Sequence, residues 1–200
     1  MVVIISADEI KKTMFGYLPK KAELFHTASA KQADKLFYEE LKKHKFNNII
    51  FLNGGAASGK TEFLSSQLSR KKSIVFDATL STEEGARIKL NEVFKLKKKP
   101  IIYAIIPDDL KRAFIAFLSR DRKFKDSHFY KTHSGARKTL LWITLKYPQI
   151  AINIVESSYT ENQTMQFAKI EFGNRTEFIA YLNKIQMSEN DIISFVQSKF

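Results

Sequence analysis

The chain contains no cysteine. That absence excludes disulfides, a cysteine-based metal site and a thiol nucleophile, and it suits the cytosol, so a cytoplasmic location is expected. Long apolar runs are missing too. None approaches the ~20 residues that a spanning helix needs, and no membrane partner is expected. The opening Met1-Val2-Val3-Ile4-Ile5 lacks the basic start and longer apolar stretch of a signal peptide. No repeat, low-complexity segment or linker divides the sequence. Its 200 residues, 44% of them hydrophobic, therefore read as one domain able to bury a full core without staples.

What is present in excess is positive charge. Lys and Arg number 33 against 21 Asp and Glu, a net +12. Such a surface attracts anions, whether nucleotides, nucleotide sugars, nucleic acid or acidic lipid. The run Lys95, Lys97, Lys98 and Lys99 before Pro100 reads as a solvated helix end.

The most informative stretch is Asn53-Gly54-Gly55-Ala56-Ala57-Ser58-Gly59-Lys60-Thr61, which fits G-x-x-x-x-G-K-[ST] directly after the apolar run Ile49 to Leu52. Glycine lets successive N–H groups turn inward around phosphate oxygens, and the helix starting near Gly59 adds its positive end. Gly54, Gly55, Ala56, Ala57, Ser58, Gly59, Lys60 and Thr61 are thus the expected nucleotide-binding residues. Lys60 would reach the β and γ phosphates, and the Thr61 hydroxyl would face Mg²⁺. The plain alternative is a glycine-rich strand-to-helix turn with no ligand.

A helix from Lys60 to about Ser69 should follow, then a strand Ser73 to Phe76 closed by Asp77. A carboxylate at the end of a strand beside the phosphate-loop strand can hold Mg²⁺ through water or take a proton from an attacking hydroxyl. Ligands of open α/β sheets sit at the carboxyl ends of strands, which places Asp77 near the loop. A turn or cap is the plain reading. Pro100 to Ile106 is the most apolar short run and reads as a central parallel strand. Asp108 and Asp109 behind it cap a helix through Leu118 and are second-rank acids. Ser119 to His133 is basic and laced with aromatics, with little helical periodicity before Ala136. In a phosphotransferase such a lid brings arginines onto the transferring group. Arg120 and Arg122 are the first candidates, against a solvated basic loop. His128 and His133, five apart, match no zinc helix, and His26 reads as an ordinary surface or capping histidine.

The remaining elements are placed by caps and periodicity. Capping boxes at Ser6, Ser29 and Ser81 open helices, the first ending near Phe15 before Gly16. A helix spans Ala136 to Lys146 and a strand Ile150 to Val155. Tyr159 to Gln163 is a polar turn, and Gln166 to Phe172 an edge strand or hairpin partner. Helices close the chain over Thr176 to Ile185 and Ser188 to Lys199. The expected fold is α/β, a three-layer αβα P-loop NTPase with a mostly parallel central sheet. It has N-terminal helices over 1–46, a nucleotide-binding core over 47–155 with a basic lid at 119–133, and a C-terminal strand and helices over 156–200.

The phosphate loop, then Phe76-Asp77-Ala78-Thr79-Leu80, then the basic stretch from Arg120 to His133, together resemble the zeta-toxin family of P-loop kinases. The resemblance covers roughly residues 25 to 155, and only the loop is a specific motif. It implies transfer from ATP, with Mg²⁺, to a sugar hydroxyl of UDP-N-acetylglucosamine, and pairing with an antitoxin protein. It also implies that Asp77 and Thr79 line the acceptor pocket and that Arg120 and Arg122 are lid arginines. The family inserts a further strand and helix after the loop helix, and that strand ends in the catalytic Asp. Here only Arg70-Lys71-Lys72 links the loop helix to the Phe76 strand, leaving Asp77 to take over as base, a different substrate, or a compromised kinase.

The expected function is an ATP-dependent phosphotransferase acting on a small anionic acceptor such as a nucleotide sugar. The alternative is a polynucleotide kinase or a nucleotide-regulated nucleic-acid-binding module, which the charge favours. Against it, the aromatics fall mostly at core spacings rather than on an exposed stacking platform.

Overall fold

A computed structural model describes residues 2–160 and 164–198. Six strands form one sheet in the order β1-β3-β2-β4-β5-β6. They are β1 (Val2–Ser6), β2 (Asn48–Asn53), β3 (Ser73–Asp77), β4 (Lys99–Pro107), β5 (Ala151–Tyr159) and β6 (Met165–Ile170). All pair in parallel except β6, which runs antiparallel to β5. The helices are α1 (Ala7–Lys12), α2 (His26–Lys43), α3 (Lys60–Phe63), α4 (Glu83–Lys95), α5 (Leu110–Ser119), α6 (Asp126–Lys146), α7 (Arg175–Lys184) and α8 (Glu189–Gln197). A three-layer α/β architecture with a mostly parallel sheet is what the sequence leads one to expect.

The alternation of side chains along each central strand builds the layers. Ile49 and Phe51 of β2, Ile74 and Phe76 of β3 and Ile102 of β4 point to one face, where α2, α4, α6 and α7 bury Phe37, Leu90, Leu140 and Leu182 against them. Ile50, Leu52, Val75, Ile105 and Val155 point the other way, onto Phe63, Leu64 and Leu68. Both faces are covered, so the central strands are apolar throughout.

Several boundaries differ from expectation. Residues 1–46 are not helices alone, because Val2–Ser6 forms an edge strand paired to β3 in the register Ser6 to Asp77. Ser6 does flank α1, but its hydroxyl makes no cap bond and donates instead to Asp77 Oδ2 at 3.3 Å. Helix α1 stops at Lys12, short of Phe15. Helix α2 starts at His26 rather than beyond Ser29, since the 3₁₀ turn Pro19–Phe25 runs straight into it. Ser29 is buried there and bonds back to the His26 carbonyl. Thr82, not Ser81, caps α4 by accepting from Gly85 N–H. After Phe63 the loop helix widens into a π-helical turn, Leu64–Leu68. Asp109 caps α5 as expected, accepting from Lys111 and Arg112 N–H. The last residues of the expected turn, Glu161 to Gln163, and the end of the last helix at Lys199 lie outside the described residues.

The largest correction concerns the basic stretch. Residues 126–133 are not an aperiodic lid but the first two turns of α6, with Phe129 and His133 fully buried. Only residues 120–125 form a loop between α5 and α6.

Candidate active site

The loop between β2 and α3 is shaped by backbone that few residues tolerate. Gly59 takes φ 87° at the helix N-cap, and a Cβ there would meet Met165 Sδ at 2.3 Å. At Gly55 a Cβ would lie 2.2 Å from His133 Cγ. Ala57 adopts the left-handed φ of 61°, uncommon for a residue with a side chain. Such strain persists only where the surroundings impose it.

Those surroundings are α6 and β5. Thr132 Oγ1 accepts from Ala56 N–H at 3.0 Å, and Ser157 Oγ donates to the Ser58 carbonyl at 2.9 Å. His133 Nε2 lies 2.8 Å from the Ala56 carbonyl, an acceptor, so Nε2 carries the proton and Nδ1 accepts from Arg137 Nη1 at 3.2 Å. Burial and the Arg137 charge push the His133 pKa well below its ordinary value, keeping the ring neutral as this arrangement requires. Buried Asn53 closes the loop's other end with Nδ2 bonds to the Thr79 and Ala136 carbonyls, both at 3.2 Å. None of these supports is part of the motif. The sequence signal for them was the spacing Phe129, His133, Ala136, Arg137, Leu140, which is helical but interrupted by polar residues.

Lys60 Nζ donates to the Gly54 and Gly55 carbonyls, each at 2.8 Å, so its ammonium folds over the loop's own oxygens. Burial lowers its pKa to about 8, with Asp77 opposing the shift. An incoming anion would oppose that shift and favour the charged ammonium further. The first N–H groups of α3, including those of Lys60 and Thr61, have no intrahelical acceptor.

The loop opens onto a cavity of about 320 Å³. Its wall holds Ala56 to Thr61 of the loop, Asp77 and Thr79 at the end of β3, and Arg120 and Arg122 from the 120–125 loop. The other candidate residues, from three separated segments, thus converge on one space, whereas Gly54 and Gly55 are buried and do not line it. Burial raises the Asp77 pKa, while Lys60 and the Ser6 hydroxyl bond oppose the rise. Thr79 Oγ1 donates to Ser81 Oγ at 3.2 Å. Arg120 makes no ion pair or side-chain hydrogen bond among the described residues. Asp108 does not line the cavity, and Asp109 is spent as a cap.

Three wall residues were not chosen from the sequence as site residues. Asp8 of α1 forms an ion pair with Arg122 and another with the fully buried Lys11 at 3.1 Å. Burial raises the Asp8 pKa, but the two cations together outweigh it and bring it down to about 2. His26 and His128 stand edge to face at 5.2 Å, with Phe124 stacked on His128 at 4.5 Å. Burial and the neighbouring His26 lower His128 to about 4. No part of the motif pointed to these residues: the pairing of β1 with β3 brings in Asp8, and the first turns of α2 and α6 bring in the two histidines.

Thr61 and Asp77 offer a hydroxyl and a carboxylate to the same cavity. Few protein oxygens, with water and phosphate completing the shell, suit Mg²⁺, so the donor set fits that ion.

No family model matches the chain, and no curated protein does. Among solved structures, a chain of the AvrRxo1-ORF1:AvrRxo1-ORF2 complex with sulphate ions is similar at 10% identity, over 82% of this chain and 84% of that one, with a TM-score of 0.47. No helix among the described residues is long and apolar enough to cross a membrane.

Proposed function

We propose that the protein is an ATP-dependent phosphotransferase, a P-loop kinase of the zeta-toxin type. The observation that carries this reading is the convergence of Lys60, Thr61, Asp77, Arg120 and Arg122 on one cavity at the carboxyl end of the sheet. The ammonium of Lys60 would exchange its two loop carbonyls for β- and γ-phosphate oxygens. Thr61 and Asp77 would hold Mg²⁺, which when bound offsets charge on those oxygens. Arg120, which forms no ion pair among the described residues, would meet the transferring group, where planar guanidinium geometry stabilises spread negative charge.

The acceptor is a small anion bearing a hydroxyl, of the nucleotide-sugar class that the family resemblance implies. Thr79, on the cavity wall one residue beyond Asp77's neighbour, would help to seat it. An antitoxin partner follows from the same resemblance. The +12 charge favours a second reading, a polynucleotide end as acceptor.

One experiment separates these. The protein is incubated with ATP labelled at the γ-phosphate, Mg²⁺ and a panel of nucleotide sugars, nucleosides and oligonucleotides. Label is expected on a nucleotide sugar and absent with Lys60→Ala. Label on oligonucleotides alone would favour the second reading, and no labelled product from any acceptor would contradict both.

A further inference from the structure

Four carboxylates line the cavity, Asp8, Asp34, Glu62 and Asp77; Asp34 pairs with Lys89, and of the four Asp8 is the one that pairs with Arg122. Asp77 stands at the phosphate side. Lys60 is the cation that acts on it most strongly, and its Oδ2 already accepts from Ser6. Asp8 lies near it on α1, delivered there because Ser6 pairs in register with Asp77 and the chain turns directly into the helix. Its side chain is 41% exposed, open to a ligand in the cavity. Its partner is Arg122, a cation placed where a transferring phosphoryl group would be held. An anion that took over Arg122 would therefore sit within one guanidinium width of Asp8, and a hydroxyl attacking that anion would lie against the Asp8 carboxylate.

We propose that Asp8, not Asp77, receives the proton of the acceptor hydroxyl, and that Arg122 leaves Asp8 for the phosphoryl group as the two substrates come together. This rests on the kinase reading above. The acceptor oxygen forms its bond to the γ-phosphorus, and the bond from that phosphorus to the bridging oxygen breaks with its electron pair left on ADP. The hydroxyl proton passes to Asp8 and then to water. The ion pair that holds Asp8 near a pKa of about 2 keeps it ionised until Arg122 departs, after which the carboxylate is the stronger base. Lys11 remains to orient it. Helix α1, positioned by the edge strand β1, would thus supply the proton acceptor to a site otherwise built by the core.

The test uses the full chain, labelled ATP with Mg²⁺, and water plus a nucleotide-sugar panel as acceptors. Asp8→Asn is expected to bind ATP with Mg²⁺ within about twofold of the unmodified protein and to lose at least ~100-fold in transfer, the range for a removed proton acceptor. Asp8→Glu, which keeps the charge but displaces it by a methylene, is expected to lose at least ~10-fold in transfer. It decides the matter if Asp8→Asn does not fold. Normal transfer by either variant overturns the assignment while leaving the kinase reading intact. Failure of the unmodified protein to bind ATP with Mg²⁺ overturns both.

Discussion

The two rims of the cavity are built in opposite ways. On the loop side the shape is made by main chain: glycines packed against His133 and Met165, and carbonyls and N–H groups tied to Thr132, His133 and Ser157. On the far side it is made by charged side chains, Asp8, Arg120 and Arg122, from α1 and a short loop, with buried Lys11 behind Asp8. The phosphate-gripping rim is rigid because bent backbone must be held from behind. The far rim is held by ion pairs that an anion can redistribute, as a site that must admit and release an acceptor requires.

On that contrast, changes on the far rim should alter chemistry far more than stability, and changes on the loop rim should alter both. The largest effect is expected from Arg120→Gln. It should lower phosphoryl transfer at least ~100-fold while leaving thermal unfolding unchanged, because Arg120 forms no ion pair among the described residues. A fall in unfolding temperature comparable to that of a core variant would break the comparison. Next comes Gly55→Ala, whose Cβ would press on the His133 ring; it should cost about 1–3 kcal/mol in denaturant unfolding and weaken ATP binding as well. Unchanged stability there would show that the loop is not held from behind.

The smallest effect concerns acid. The Asp8 pKa falls on folding from 3.8 to about 2, so its contribution to stability is complete above pH 3.8 and disappears as the pH drops toward 2. Because the side chain is 41% exposed, solvent screening reduces the contribution to about 1 kcal/mol. Unfolding followed between pH 5 and 2 should show that loss in the unmodified protein and not in Asp8→Asn.

The same contrast explains what the sequence disclosed. The loop rim is local: nine consecutive residues between an apolar strand and a helix carry it, and the strand ending at Asp77 follows within two dozen positions. Both are observed where the pattern puts them. The far rim depends on pairing across more than half the chain. Val2–Ser6 is too short for its apolar residues to distinguish strand from helix, and only its pairing with β3 settles the matter. The start of α6 was hidden differently. Its buried face carries Thr132, His133 and Arg137, polar residues that support the loop and erase the hydrophobic stripe by which a helix is recognised. No strand stands between the loop helix and β3 in the chain, and β1 occupies the edge beside β3.

The central claim is that the glycine-bent loop and Lys60 hold a nucleoside triphosphate. Titration calorimetry with ATP and Mg²⁺ tests it most directly. Saturable heat at a single site, abolished in Lys60→Ala, is the predicted result; no heat from the unmodified protein with any purine triphosphate would contradict the account.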